Sequence, residues 1–414
     1  MTTEYSTTEA SAAPQVGPRR WGPIAALWAG IAMLVASEFL PAGVLPPIAR
    51  DLGVSEGTVG LAVAVTAIAG AFTAPSIAVF LPRTDRRTVL VSLLAAGSVA
   101  NFAVAFAPNF AVLLAGRVIL GVALAGYWSF AFGAGMHVMP GRSGFVSTSL
   151  AFGVSGATVI GVPVASLVGD QVSWRVAFAG AAVLTAFAAV AVLVALPRVP
   201  AHPAAGLRML RQAVVQWRLM TGVACVVLVA FGNFTAYPYI RLAIERNAPD
   251  SAALLLVLWG VAGVFGNFAA GALSSRLRLA TATAPVLLGV GLLVTAVAPS
   301  PPVLTVGILV WGFGFNMVPV ATQLWVTRVE PERTESALSL QVMAFQVAIT
   351  VGSAVGGSMV DGTGVGTALL VGAVFALAAG LGFGLLRVPR AGDVAPLLRG
   401  DTVMSGERPA EGGR

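Results

Sequence analysis

Glu38 is a carboxylate inside a long apolar run, WGPIAALWAGIAMLVASEFLPAGVLPPIARDLG, which extends from Trp21 to Gly53. A charge placed in hydrocarbon costs about 2.5–3.5 kcal/mol even on lenient insertion scales, so such a group usually faces a bundle interior or a water-filled path and works there. A second apolar run, FAVLLAGRVILGVALAGYWSFAF, carries Arg117 about two helical turns from its start. If the two runs cross a membrane in opposite senses as neighbours, the carboxylate and the guanidinium lie at similar depth and could meet. Burial disfavours a carboxylate's charge, an adjacent guanidinium favours it, and the Arg keeps its own proton. A carboxylate balanced in this way is suited to taking up and releasing a proton. The bland alternative is a fixed ion pair that locks two helices. The rarity of charge in hydrocarbon favours the working role.

Flat and amide side chains sit in other apolar runs. Tyr127 and Trp128 are adjacent in the run that holds Arg117, and the segment VAFGNFTAYPYIR supplies Asn233, Phe234, Tyr237 and Tyr239 around Pro238. Asn316, Gln323, Gln341 and Gln346 add amides further on. Together they could line a cavity for a planar solute, or they could form an interfacial aromatic belt and hydrogen-bonding glue between helices. Two further sets are mechanical. Asp85, Arg86 and Arg87 lie in a short turn, where they serve as a topological anchor or as a gate that breaks between states. Gly153, Gly156, Gly161 and Pro163 make a small-residue stripe that allows close helix approach.

These groups need twelve membrane helices to position them. The 414 residues are 57% hydrophobic and 10% charged, with a mean hydropathy of +0.89. A soluble domain carries about 25% charged residues. Spans of about 20 apolar residues read at roughly 21–47, 55–81, 88–107, 110–136, 145–168, 175–197, 219–240, 251–274, 280–298, 303–326, 337–360 and 365–387. The layout is a polar cytoplasmic tail over 1–20, six helices over 21–197, a basic cytoplasmic linker over 198–218, six helices over 219–388, and a disordered cytoplasmic tail over 389–414. The polar start has no apolar core followed by a cleavage site, so it does not read as a signal peptide. The turns LPRTDRRTVL and GALSSRLRLA recur at equivalent places in the two halves. Paired six-helix halves with a site between them at mid-membrane are a transporter layout.

The 24 basic residues are all Arg. They crowd one face, which makes that face and both termini cytoplasmic. Their scatter over loops fits contact with anionic lipid and excludes a nucleic-acid patch. One cysteine precludes an internal disulfide, and two histidines make a metal site improbable. Without Lys a standard phosphate-binding loop cannot be built. No nucleophile motif appears either. An enzyme is therefore not expected, and neither is a cofactor; a proton gradient is the expected energy source.

The motifs SEFLPAGVLPPIARDLGVS, RTDRR, GRVILGVALAGYWSF and GVPVASLVGDQVSWRVAF resemble the major facilitator superfamily, in its drug:proton antiporter branch. Within the branch, YIR, WGFGFNMVPVATQLWVTR and the LQV…GGSMVDGTG run look most like purine ribonucleoside efflux pumps. The resemblance implies an all-α fold of two six-helix pseudo-symmetric bundles and a monomer in a bacterial cytoplasmic membrane. It implies export of small planar solutes, preferably purine nucleosides, as protons enter by alternating access. It puts Arg117 at the basic position of the family's fourth-span motif and Gly153 to Pro163 on its antiporter motif. Departures are Pro82 or Arg83 where the loop motif has an acid, Asp85 where Gly is common, and a span-five motif without adjacent Gly-Pro. Export of an antibiotic of the chloramphenicol type, or of a sugar, fits the same residues. A non-transporting receptor or scaffold would tolerate neutral substitution at Glu38.

Overall fold

The structure is a computed structural model that describes residues 21–81, 84–140, 142–200, 216–330 and 334–386. Both terminal tails and most of the expected linker lie outside these residues. Eleven helical stretches are long and apolar enough to span a membrane. One of them, Pro249–Val297, is two spans joined by the 3-10 turn Leu273–Arg276, so the described residues contain twelve. The N-terminal spans are Trp21–Leu52, Glu56–Phe80, Arg86–Ala105, Phe110–Val138, the run Ser143–Gly156 to Val162–Gln171, and Trp174–Ala195. The C-terminal spans are Trp217–Ala236 continued by Ile240–Glu245, then Ala252–Ala272, Leu277–Val297, Pro301–Val329, Thr334–Thr363 and Val365–Leu385.

Local chemistry sets the ends of these helices. Ser55, Asp85, Asn109 and Ser173 each accept a backbone N–H of the first turn that follows them, satisfying donors the helix cannot. Gly53 and Gly364 adopt φ of +64° and +92° in the tight turns after spans one and eleven. A side chain is strained there.

Two helices run further than sequence periodicity suggests. Span one reaches Leu52, not residue 47, because Pro41, Pro46 and Pro47 kink it without ending it; Val44 alone leaves the helical region. Span seven reaches Glu245, not residue 240, through the 3-10 turn Tyr237–Tyr239 at Pro238. The extension of span seven carries Arg241 into the protein. Span five has its own irregularity, a π turn over Ala157–Gly161 ahead of Pro163. Pro163 has no N–H to give, and a widened turn is a common answer to a broken ladder.

Within the first half, span two packs on span four, and span three on spans four and six; within the second, span nine packs on ten and twelve, and eight on ten. The halves meet along spans two and eleven and along spans five and eight. Glycine sets several of these approaches. A Cβ on Gly121 would lie 2.2 Å from the Thr66 carbonyl oxygen, whereas one on Gly133 would meet nothing. Gly121→Ala should therefore push spans two and four apart and cost about 1–3 kcal/mol. It should lower the melting temperature in detergent by several degrees. Gly133→Ala on the same helix should leave melting unchanged.

Candidate functional site

The site begins with a backbone defect. Pro41 lacks the N–H that would satisfy the Ser37 carbonyl one turn earlier, and hydrocarbon supplies no water to replace it. Arg117, fully buried on span four, does so instead. Its Nη1 donates to Ser37 O at 2.7 Å, its Nη2 to Glu38 O at 2.6 Å and its Nε to Ala62 O at 2.9 Å. Ser37 is held further by Asn101, whose Nδ2 donates to Ser37 Oγ at 2.8 Å.

Spans one and four are thus neighbours, but where the carboxylate and the guanidinium could have met, the guanidinium grips the backbone instead. The Ser37 carbonyl, left open by Pro41, outcompetes the side chain because its ladder donor is missing, and the Glu38 and Ala62 carbonyls take the guanidinium's other donors. Among the described residues, the Glu38 carboxylate forms no ion pair and accepts no hydrogen bond. It remains an electrostatic neighbour of both Arg117 and Tyr237. It is buried, with 6% of the residue still accessible.

Beside it lies an aromatic wall drawn from both halves. Phe39 of span one stacks on Phe234 at 6.2 Å and meets Tyr237 edge-on at 5.3 Å. Phe315 and Phe345 meet Phe234 edge-on at 5.8 and 6.0 Å, and Trp259 lies 4.9 Å from Tyr237. Phe234 and Tyr237 are fully buried; Phe39 and Phe345 are half-buried and give the wall its accessible surface. The Tyr237 hydroxyl and Trp259 Nε1 are buried without a hydrogen-bond partner.

The remaining expected residues fall into three groups. Several are committed to packing. Tyr127 is buried within the first half and donates to Leu27 O at 3.1 Å. Asn233 accepts from Trp311 Nε1 at 2.8 Å. Asn316 donates to Gly312 O of its own helix at 3.0 Å. Gln341 donates to Thr322 Oγ1 at 2.8 Å. Tyr239 is not beside the wall; its hydroxyl bridges Gly57 O at 3.2 Å and Ser353 O at 2.9 Å, between the halves. Trp128 and Gln323 are exposed and Gln346 is half-buried, packed close to Gly70.

In the turn before span three, Asp85 caps that helix through the N–H groups of Arg87 and Thr88. Arg86 donates to Leu81 O at 2.7 Å and lies 4.3 Å over the Phe130 ring. Arg87 donates to Leu193 O. On span five, Cβ atoms on Gly153 and Gly161 would press on Ile31 and Ala36 at 2.7 and 2.9 Å, while Gly156 has ordinary room. Gly153, Gly161 and buried Pro163 therefore hold span five against span one, the helix of Glu38.

Sequence reasoning missed Phe39, Trp259, Phe315 and Phe345 in the wall. Phe39 was detectable as Glu38's neighbour; the others carry no local signal, since aromatics on spans eight, ten and eleven read equally as lipid-facing. An entirely apolar groove of about 450 Å³, lined by Phe265, Leu287 and Phe313 among others, lies on spans eight to ten. It contains none of these groups.

Comparison with known proteins settles the family. The sequence profile described as Major Facilitator Superfamily matches residues 27–329 and 222–405. The chain belongs to the major facilitator superfamily. Its curated relatives include Purine ribonucleoside efflux pump NepI of Salmonella typhimurium, 34% identical over 350 residues, covering 83% of this chain and 88% of the relative. The protein of the same name from Escherichia coli K12 is 32% identical over 357 residues, covering 85% and 90%. A solved bacterial homolog of the human lysosomal transporter Spinster superposes with a TM-score of 0.74 at 13% identity, over 90% of this chain and 97% of the other. The human organic anion transporter MFSD10 gives 0.67 at 16%, over 89% and 100%. These solved structures share the overall fold of this chain.

If Pro41 is what makes Arg117 necessary, the two residues are coupled. Arg117→Leu removes three buried hydrogen bonds and leaves the Ser37 carbonyl with neither a ladder donor nor a replacement, and should cost about 3 kcal/mol. In a Pro41→Ala background, Ser37 O regains a ladder N–H. The loss on Arg117→Leu should then shrink by about 1 kcal/mol in a double-mutant cycle of detergent unfolding.

Proposed function

We propose that the protein is a proton-coupled efflux antiporter of the bacterial cytoplasmic membrane, exporting small planar solutes, preferably purine nucleosides. The observation that carries this is the unpaired buried carboxylate of Glu38 beside an aromatic wall built from both halves. The relatives called purine ribonucleoside efflux pumps support the substrate class. The arginine-rich face and both termini are cytoplasmic, and the face of Arg241 and Asp361 is outer.

In this reading Glu38 carries the proton. Arg117 is occupied by the backbone and acts on the carboxylate only through its field. Phe39 and Phe345 stack on the base, and the Tyr237 hydroxyl and Gln346 amide offer hydrogen bonds to it. Asp85, Arg86 and Arg87 stabilise the cytoplasmic turn, and the span-five glycines seal span one against span five. The protein works as a monomer in lipid, performs no covalent chemistry and uses the proton gradient in place of a cofactor. One charge moving through 100 mV supplies about 2.3 kcal/mol. A tenfold gradient of a neutral solute needs about 1.4 kcal/mol, so one proton suffices.

Everted vesicles should accumulate labelled inosine when a proton gradient is imposed, and unlabelled nucleosides should block it. Competition by chloramphenicol or a sugar, with nucleosides inert, would move the substrate out of the nucleoside class. Glu38→Gln should abolish gradient-driven uptake at normal expression. Tyr237→Ala should weaken nucleoside uptake about tenfold, the order expected for one lost stacking and hydrogen-bonding partner.

A further inference from the structure

Span one is gripped a second time, from the opposite half. Pro47 leaves the Gly43 carbonyl open as Pro41 leaves that of Ser37. Arg241 of span seven fills it, donating from Nη1 to Gly43 O at 2.7 Å. The same guanidinium reaches Ser166 Oγ at 3.2 Å and Asp170 Oδ1 at 2.5 Å on span five, and Glu245 Oε1 at 2.7 Å on its own helix. Its side chain is 7% exposed.

A second clasp lies nearby. Asp361, at the end of span eleven, accepts from Ser55 Oγ at 2.6 Å and Gly57 N at 2.9 Å, so it caps span two across the boundary between halves. There the two backbones touch: a Cβ on Gly57 would lie 2.2 Å from Gly357 O. The Tyr239 bridge between Gly57 and Ser353 lies beside it.

The two arginines differ in where they come from. Arg117 belongs to the same half as span one, so its hold survives any rigid movement of the halves. Arg241 belongs to the other half and must release Gly43, Ser166 and Asp170 when the halves part on this side. Glu245 moves with it, so the guanidinium keeps one carboxylate partner after release. Asp170 is already 41% exposed and passes into water.

We propose that Arg241 and Asp361 are positioning residues that form an outer latch, and that its rupture opens Glu38 to proton exchange with the outer solution. The latch rests on the transport reading for its orientation and for the role of Glu38. Its test uses neither substrate nor proton flux, so the two can fail separately.

The reporter is Ser353→Cys in a Cys225→Ser background. Ser353 is fully buried beside the Tyr239 bridge. Intact cells are treated with a membrane-impermeant maleimide. Labelling should be slow with the latch intact and should rise about tenfold with Arg241→Gln, which gives up contacts to Gly43, Ser166 and Asp170, and with Asp361→Asn, which weakens the hold on Ser55 and Gly57. Unchanged labelling in both variants would overturn the proposal. The native Cys225, buried far along span seven from the latch, provides the second measurement in a Ser353 background. If its labelling rises equally, the variants have merely loosened the fold and the latch is refuted. If it stays silent while Ser353→Cys reacts, the opening is local to the outer side.

Discussion

A carbonyl oxygen without a partner in hydrocarbon is the constraint from which the site follows. Span one is broken by Pro41, Pro46 and Pro47, and each removes a ladder donor where water cannot substitute. Arg117 is buried in apolar surroundings because three backbone oxygens hold it there. That commitment has a consequence for Glu38. A guanidinium engaged by backbone cannot also form a close, bidentate pair with the neighbouring carboxylate. The carboxylate keeps the electrostatic influence of Arg117 without a close ion pair to it.

The same economy appears in the surrounding elements. Phe39 follows Glu38 directly, so any movement of span one that alters the carboxylate's surroundings also alters the ring that stacks on Phe234 and Tyr237. The wall is made of side chains from both halves, so relative motion of the halves must rebuild it. The small residues of span five matter because they keep span one in fixed register with its own half while the other half moves. Alternating exposure of one site then requires no local unfolding. It requires contacts within each half to be tighter than those between halves.

Much of this was legible in the sequence. Twelve spans, their division six and six, the arginine asymmetry and the burial of Glu38 and Arg117 follow from hydropathy and from the rarity of charge in apolar runs. The family followed from motifs. Side-chain partners did not. An Arg and a Glu at similar depth read as an ion pair, and only the geometry of the proline kink shows that the backbone wins. Tyr127 and Asn233 looked like cavity groups because polar atoms in apolar helices suggest ligands, yet the Tyr127 hydroxyl and the Asn233 amide oxygen are held inside the protein, while Asn233 Nδ2 is buried without a hydrogen-bond partner. Arg241 lies one residue beyond the span read over 219–240; after the Tyr237–Tyr239 turn the helix continues to Glu245 and carries Arg241 into the protein. Asp361 lay in a glycine-rich run whose partner is distant in sequence, and no local pattern could announce that contact.

The central claim is that the buried carboxylate of Glu38 gives up a proton when the solute binds. It is tested most directly by adding inosine to the purified protein in weakly buffered detergent and following released protons with a pH-sensitive dye. The account predicts release that saturates with inosine binding and disappears when residue 38 is Gln while inosine still binds. Saturable inosine binding with no release from the native protein, or equal release from the Gln variant, would contradict it.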